Sequence, residues 1–152
     1  MTKMLVFDMD GTIADLYGYK NWLNYLESEK TDPYVNAEPL INMEQLVSVL
    51  TELKNLNWKI AITSWLSKNG SKEYNKKVSL AKKDWLIKYN FPYDELHFVK
   101  YGTTKAKCTR KKADFQILID DNEKILNNWT LGAVIKADKN LIKIPETLKK
   151  LF

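Results

Sequence analysis

The chain has 152 residues, of which 45% are hydrophobic, and its 24 Lys and Arg outnumber its 19 Asp and Glu. This length and apolar content predict one folded domain, residues 1–152, and exclude a disordered chain, while the net charge of +5 suits an anionic partner. One cysteine excludes an internal disulfide framework, and no apolar run is long enough to cross a membrane.

The first three residues lead directly into an apolar stretch, which leaves no room for a signal peptide. A single cysteine also fits a reducing compartment. We therefore expect a cytoplasmic protein with no membrane partner.

The first predicted strand, residues 3–8, runs from apolar residues into two carboxylates, Asp8 and Asp10. A short continuous apolar run is typical of a buried strand, and ligands bind at the carboxyl ends of strands in open parallel sheets. Gly11 predicts a sharp turn, and Thr12 offers a hydroxyl and a backbone N–H to an anion. Aspartate can bind Mg²⁺ or act as a nucleophile; the alternative is a strand-end turn with two solvated acids.

An aromatic-rich segment follows this strand. Apolar spacing predicts a helix over 15–29, and two prolines predict a loop over 31–40. The aromatic side chains could stack on a nucleobase or pack a small cap onto the core. We favour packing for Trp22 and leave Tyr17 open.

The middle of the chain predicts two helices with a strand between them. The first helix carries apolar residues from Met43 to Leu53 and has Asn42 as its N-cap, and the strand over 58–62 closes on Thr63 and Ser64. The second helix, over 72–89, has one apolar face. Its other face is basic and is formed by Lys72, Lys76, Lys77, Lys82, Lys83 and Lys88.

The rest of the chain predicts three further strands and three short helices. The strands span 96–99, 115–119 and 133–137, and the helices span 104–113, 122–129 and 145–151. Strands that alternate with helices predict an α/β fold, a parallel sheet with helices on both faces.

Three predicted strands end in polar side chains, the third of them in Asp120 and Asp121. The tips of parallel strands meet at one edge of the sheet, and carboxylates gathered there need a cation, since otherwise they repel and take up protons. A cation, an anionic nucleophile, hydroxyl donors and a lysine from the helix before residue 115 make a site for phosphoryl transfer. The local alternative is that Thr63–Ser64 and Asp120–Asp121 cap the segments that follow them.

Four segments, in this order, resemble the four motifs of the haloacid dehalogenase-like (HAD) hydrolase superfamily: 8–12 (DMDGT), 60–64 (IAITS), Lys105 and 119–121 (IDD). The region that these four motifs span covers almost the whole chain. The resemblance implies a three-layer Rossmann-like fold with a small helical cap inserted after the first strand, at about residues 15–40.

Within the superfamily, the start at 8–11, the Ala14–Asp15 pair and the Thr63–Ser64 pair resemble the 5′(3′)-deoxyribonucleotidases. Two features depart from that pattern. Trp65 stands where those enzymes usually have a proline, and the segment before the second strand is much shorter than their helical cap.

The superfamily resemblance implies a role for each matched residue. Asp8 would attack phosphorus and carry an aspartyl-phosphate, while Asp10 would protonate the leaving oxygen and then deprotonate the hydrolytic water. Thr63, with Ser64 beside it, would hold the phosphoryl oxygens. Lys105 would neutralise Asp8 and the phosphoryl charge.

The resemblance also implies a Mg²⁺ site. Asp8, Asp120 and the backbone carbonyl of Asp10 would bind the ion, and Asp121 would support it directly or through water. An aspartate at the position of Asp10 is the pattern of phosphatases rather than of dehalogenases.

Some assignments have alternatives. Lys107 and Lys100 lie close enough in sequence to replace Lys105 as the site lysine. His97 lies within a predicted strand, and we expect it to be structural. Basic neighbours could lower the pKa of Cys108, although we favour an inert thiol.

We predict a Mg²⁺-dependent phosphatase whose partner is a phosphorylated small molecule, a nucleoside (deoxy)monophosphate. An acid-free basic stretch over 100–112 favours an alternative substrate, the 3′- or 5′-phosphorylated end of a nucleic acid, unless this charge is only a solvated face. The alternative from another class is a protein that binds nucleotides or nucleic acid without turnover. The basic residues of the stretch are Lys100, Lys105, Lys107, Arg110, Lys111 and Lys112.

Overall fold

A parallel sheet forms the centre of the chain. The computed structural model describes residues 1–109, 113–138 and 143–152. The strands within these ranges all run parallel, and the predicted α/β fold is confirmed. They are β1 (Lys3–Phe7), β2 (Trp58–Trp65), β3 (Glu95–Val99), β4 (Phe115–Asp120) and β5 (Gly132–Lys136), and they lie side by side in the order β3-β2-β1-β4-β5.

Helices cover both faces of this sheet. Side chains alternate along β1, so that Leu5 and Phe7 belong to one core cluster with α3, α4 and α7, while Met4 and Val6 belong to a second cluster with α5 and α6. Of the helices in the described ranges, none is long and apolar enough to span a bilayer. They are α1 (Trp22–Glu27), α2 (Asp32–Asn36), α3 (Met43–Asn55), α4 (Lys72–Lys88), α5 (Ala106–Thr109), α6 (Glu123–Asn127) and α7 (Ile144–Lys149).

The carboxyl edge of the sheet carries the polar strand ends. Phe7 pairs with Ile62 of β2 and with Ile119 of β4, so the residues that follow, Asp8, Thr63 and Asp120, lie next to one another. The chain leaves β1 towards β2 and β3 and then crosses to β4 on the other side. Such a reversal of strand order opens a crevice at the carboxyl edge, where ligands bind.

Residues 15–40 differ from the predicted helix and loop. α1 begins only at Trp22 because Asn21 has a left-handed backbone with φ of 60°, and Glu29, with φ of 54°, ends the helical path. Pro33 lies in the first turn of α2, where its missing N–H leaves no hydrogen bond unmade, so it begins a helix instead of breaking one. Tyr34 of α2 packs in a cluster with α4 residues and Leu16.

The other elements follow the predictions with small changes. Asn42 caps α3 as predicted, since its side chain accepts a hydrogen bond from the Gln45 N–H at 3.0 Å. β2 runs on through Trp65, because β3 continues to pair with it there. The predicted helix over 104–113 is α5 among the described residues, and residues 110–112 lie outside them.

Gly132, the first residue of β5, can be tested for its role in the sheet. Its φ is 151°, and a Cβ there would lie 2.1 Å from the carbonyl oxygen of Gln116 in β4. Because backbone cannot yield easily, we expect Gly132→Ala to lower the free energy of unfolding by about 2 kcal/mol in urea denaturation.

Gly102→Ala is the matched control for this variant. Gly102 also has a left-handed backbone, with φ of 87°, but a Cβ there would meet no atom within 4 Å. Its loss should therefore be only the backbone strain, about 1 kcal/mol. Equal losses in the two variants would contradict a steric role for Gly132.

Candidate active site

A cavity of about 580 Å³ lies at the carboxyl edge of the sheet. Most of the predicted site residues line it, whereas Thr63 is fully buried and does not. Its opposite wall comes from the segment after β1, with Tyr17, Trp22 and Leu23. The structure therefore brings these predicted residues to one place: Asp8, Asp10, Ser64, Lys105, Asp120 and Asp121.

Asp8, Asp120 and Asp121 form a carboxylate cluster, in which one oxygen of each lies within 4.8 Å of the others. Burial and the charge of Asp8 raise the pKa of Asp121 to about 7, and burial also raises the pKa of Asp120. Like charges at this distance need compensation. An all-oxygen set of this kind fits a hard divalent cation such as Mg²⁺.

The turn after β1 packs closely against this carboxylate cluster. Gly11 has φ of 79°, and a Cβ there would lie 2.5 Å from an oxygen of Asp121, so the predicted glycine turn is confirmed. The Thr12 hydroxyl lies 3.2 Å from an oxygen of Asp8 and 3.2 Å from one of Asp121. The backbone N–H of Thr12 donates to the carbonyl of Met9 at 3.2 Å, so the prediction that Thr12 offers this N–H to an anion is wrong.

Lys105 lies between two of these carboxylates. Its Nζ donates to Asp8 Oδ1 at 2.7 Å and to Asp120 Oδ2 at 2.6 Å. Burial acts to lower its pKa, but the two carboxylates outweigh burial and the pKa lies above its ordinary value. The Lys105 side chain is therefore protonated and positively charged. The alternatives Lys107 and Lys100 are both exposed.

Lys82 is the site residue that the sequence analysis missed. We predicted it on the exposed basic face of α4, and that prediction is wrong, because its side chain is fully buried. Its Nζ donates to Asp10 Oδ2 at 2.8 Å, to Ser64 Oγ at 2.7 Å and to the Trp65 carbonyl at 2.8 Å.

The sequence did hold a signal for this burial. Tyr74, Val78, Lys82 and Trp85 are spaced by four, four and three residues, which is the apolar stripe of a helix. All four are buried on α4. The other predicted lysines of the basic face are exposed: Lys72, Lys76, Lys77, Lys83 and Lys88.

The capping alternative is confirmed in part for Asp120, whose Oδ1 accepts a hydrogen bond from the Asn122 N–H at 2.9 Å, but neither strand-end pair caps the helix that follows it. Ser71 caps α4 by accepting from the Tyr74 N–H, and Asn122 caps α6 by accepting from the Lys124 and Ile125 N–H groups. Thr63 Oγ1 is buried and has no hydrogen-bond partner among the described residues. Thr63 does not line the cavity, so this hydroxyl is not exposed to a ligand there in this structure.

The aromatic wall of the cavity is built by the segment between β1 and α2. Trp22 contacts Tyr17 edge to face, with ring centroids 5.0 Å apart. No residue of α1 is buried, so the prediction that Trp22 packs a cap onto the core is wrong. Burial and the charges of Asp10 and Asp8 raise the pKa of Tyr17, which keeps its hydroxyl protonated.

Two remaining candidates lie apart from this chemistry. His97 contacts Glu95 at 2.9 Å within β3, in line with a structural role. Burial raises the pKa of Cys108 and outweighs the lowering by the charge of Lys105, in line with the favoured inert thiol.

Comparison with known proteins identifies the fold. No protein-family model and no curated protein matches the chain. A D,D-heptose 1,7-bisphosphate phosphatase from Burkholderia thailandensis matches it with a TM-score of 0.58 and 11% identity, over 99% of this chain and 98% of that one. The same enzyme from B. bronchiseptica, in complex with magnesium and phosphate, matches with a TM-score of 0.56 and 11% identity, over 99% and 100%.

The chain has the fold of these phosphatases. Both are HAD-family enzymes, so the predicted three-layer fold is confirmed. At this identity the likeness speaks for the fold alone. The narrower resemblance to deoxyribonucleotidases has no counterpart in these two structures.

The carboxylate cluster predicts a cation-dependent stability. We expect Mg²⁺ to raise the thermal unfolding temperature, since it relieves the repulsion among the three carboxylates. A free concentration 100 times the Kd would add about 2.7 kcal/mol to the free energy of unfolding. Asp120→Asn should remove most of this shift in scanning fluorimetry against EDTA.

Asp84→Asn serves as the control for this measurement, because Asp84 is an exposed carboxylate on α4. Its Mg²⁺ shift should equal that of the wild type. A full shift in Asp120→Asn would show that the ion binds elsewhere.

Proposed function

We propose that the protein is a Mg²⁺-dependent phosphomonoesterase that acts through an aspartyl-phosphate on Asp8. The observation that carries this proposal is the meeting, at one cavity, of a carboxylate cluster, a buried lysine on Asp8 and a further carboxylate, Asp10. The complex of one structural neighbour with magnesium and phosphate supports the same chemistry.

The charges of the site support a divalent ion. When the carboxylates of Asp8, Asp10, Asp120 and Asp121 are all ionised, they face two buried ammonium groups and the formal charges sum to −2. One divalent cation cancels this charge. Asp8, Asp120 and Asp121 would hold Mg²⁺ together with the backbone carbonyl of Asp10, and the bound ion would supply charge neutralisation at the phosphoryl oxygens.

The residues of the chain account for two steps. In the first, a carboxylate oxygen of Asp8 bonds to phosphorus, the bond from phosphorus to the leaving oxygen breaks, and Asp10 gives its proton to that oxygen. In the second, water attacks the phosphorus of the aspartyl-phosphate, Asp10 takes the proton of that water, and phosphate leaves. Burial raises the pKa of Asp10 in spite of Lys82, which suits a group that carries a proton.

Three further groups would hold the transferred phosphoryl group. Lys105 compensates the charge of Asp8 before attack. Thr63 does not line the cavity, but its hydroxyl, which has no partner among the described residues, would donate to a phosphoryl oxygen if the end of β2 opened to the ligand. Ser64 accepts from Lys82, so its own proton is free to be donated.

The proposed steps predict the effect of two substitutions. Asp8→Asn should abolish phosphate release, because an amide does not attack phosphorus. Asp10→Asn should lower kcat/KM by about 10²- to 10⁴-fold, the usual contribution of a general acid. Phosphate release with Mg²⁺ and with EDTA measures both, and the exposed Asp84→Asn is the control. Activity in Asp8→Asn or in EDTA would refute the mechanism.

For the substrate, we propose a nucleoside monophosphate. Aromatic rings of Tyr17, Trp22, Trp65 and Tyr101 line the cavity beside the carboxylates, and a nucleobase can stack on such rings. We also propose that residues 15–40, which supply two of these rings, act as a small cap. The structural neighbours are named for a sugar bisphosphate, so they support the phosphoester and not the base.

A second candidate substrate is the phosphorylated end of a nucleic acid. A second cavity of about 360 Å³ shares Trp65, Tyr101 and Lys105 with the first, which gives room for a longer chain. Lys68 and Lys107 are exposed near these cavities. Lys105 itself is buried and does not belong to a basic surface, and Arg110, Lys111 and Lys112 lie outside the described residues.

A substrate panel separates these candidates. It contains nucleoside 5′- and 3′-monophosphates, a 3′-phosphorylated oligonucleotide and a sugar bisphosphate. We expect the mononucleotides to have the highest kcat/KM, and Trp22→Ala to raise their KM about 10-fold, since stacking contributes about 1–3 kcal/mol per base. Leu23→Ala, which removes an apolar contact without a ring, should change KM less.

Other results of this panel have defined meanings. A preference for the oligonucleotide that falls steeply between low and high salt would favour nucleic-acid ends. A preference for the sugar bisphosphate would refute the nucleotide proposal. Tight binding of nucleotides without phosphate release would favour the non-catalytic alternative.

A further inference from the structure

Lys82 takes no part in the two proposed steps, yet its contacts are all with the site. It is fully buried on α4, and its Nζ has three acceptors at 2.7–2.8 Å. An ammonium group has three protons, so these acceptors use all of them. The ring of Tyr34 lies 5.3 Å from the same nitrogen. The position of the ammonium is therefore fixed from several sides.

We propose that Lys82 is the positioning residue for the general acid: it holds Asp10 by Oδ2, so that Oδ1 presents the proton to the leaving oxygen. This inference rests on the proposed phosphatase function. It divides the two buried lysines by role. Lys105 contacts the nucleophile Asp8, and Lys82 contacts the acid Asp10.

The contact with Asp10 explains why a lysine is tolerated in an apolar stripe. Taking a charge out of water costs several kcal/mol, which only close and well-aligned partners offset. Here the partners come from two of the strand ends that border the cavity, Asp10 after β1 and Ser64 with Trp65 in β2. The bond to Asp10 thus ties the acid to the frame of the sheet instead of leaving it on a turn.

A merely structural lysine and a positioning lysine differ in one measurable way. A structural defect lowers the rate for every substrate, whereas loss of acid positioning lowers it only where the leaving oxygen needs a proton. An alkyl phosphate has a strongly basic leaving oxygen and needs that proton. A 2,4-dinitrophenyl phosphate releases a stabilised dinitrophenolate anion, which does not need that proton.

The experiment compares kcat/KM of Lys82→Met on these two substrates. This constant reports the steps up to the aspartyl-phosphate, so slow hydrolysis of that intermediate does not mask the effect. We expect a loss of about 100-fold or more on the alkyl phosphate and less than about 5-fold on the dinitrophenyl phosphate. Lys83→Met, the exposed neighbour on α4, should leave both unchanged.

A double-variant cycle tests whether Lys82 acts through Asp10. In the background of Asp10→Asn, adding Lys82→Met should cause no further loss on the alkyl phosphate, because the group that it positions is already gone. Additive losses would show that Lys82 acts by another route and would overturn the proposal.

Folding of the variants is followed by thermal unfolding. Lys82→Met leaves a buried carboxylate without its partner, so Lys82→Gln, which keeps a donor, is measured beside it and decides the question if the first variant unfolds. Equal losses on both substrates in a folded variant would overturn this inference alone. A wild type inactive on both phosphates would overturn the proposed function and this inference with it.

Discussion

The structure depends on the balance between acidic strand ends and two buried lysines. Buried ions of either sign are unfavourable by themselves, and they are tolerated here because each ammonium lies within 2.6–2.8 Å of its acceptors. Lys105 directly precedes α5 on one face of the sheet, and Lys82 lies in α4 on the other. The carboxyl edge of the sheet therefore keeps its charges only while both helical layers are in place.

The alternation of side chains along the strands decides which lysine meets which acid. Asp8 and Asp120 continue the side of Val6 and Leu118, the side covered by α5, and Lys105 directly precedes that helix. Ser64 continues the side of Ile60 and Ile62, which packs against α4, and there it meets Lys82. A period of two along the strands thus separates the surroundings of Asp8, the proposed nucleophile, from those of Asp10, the proposed acid.

Local rules predicted most of the fold and much of the site. Buried strands that end in carboxylates, and the convergence of parallel strand tips, were enough to place Asp8 and Asp120 together, whereas the choice of Lys105 came from the resemblance to the HAD superfamily. Lys82 could not be placed in this way, because its partner Asp10 is 72 residues away in sequence and charge alone suggests exposure. The helix and loop predicted over residues 15–40 were wrong, because the spacing of apolar residues does not reveal the left-handed backbone of Asn21 or the start of a helix at Pro33.

In the proposed enzyme, the groups that perform the chemistry and those that select the substrate lie on different walls of the cavity. The carboxylates and lysines at the strand ends form ion pairs with one another, so a substitution of one of them changes the charge that surrounds the others. The opposite wall comes from residues that are exposed or half-buried: Tyr17 and Leu23 are 53% and 50% exposed, and Trp22 is half-buried. Gly11 allows Asp121 and the ring of Tyr17 to lie close together, since a Cβ at that position would clash with both. If the proposed function holds, substitutions in α1 should change which leaving group fits without disturbing the charged groups at the strand ends.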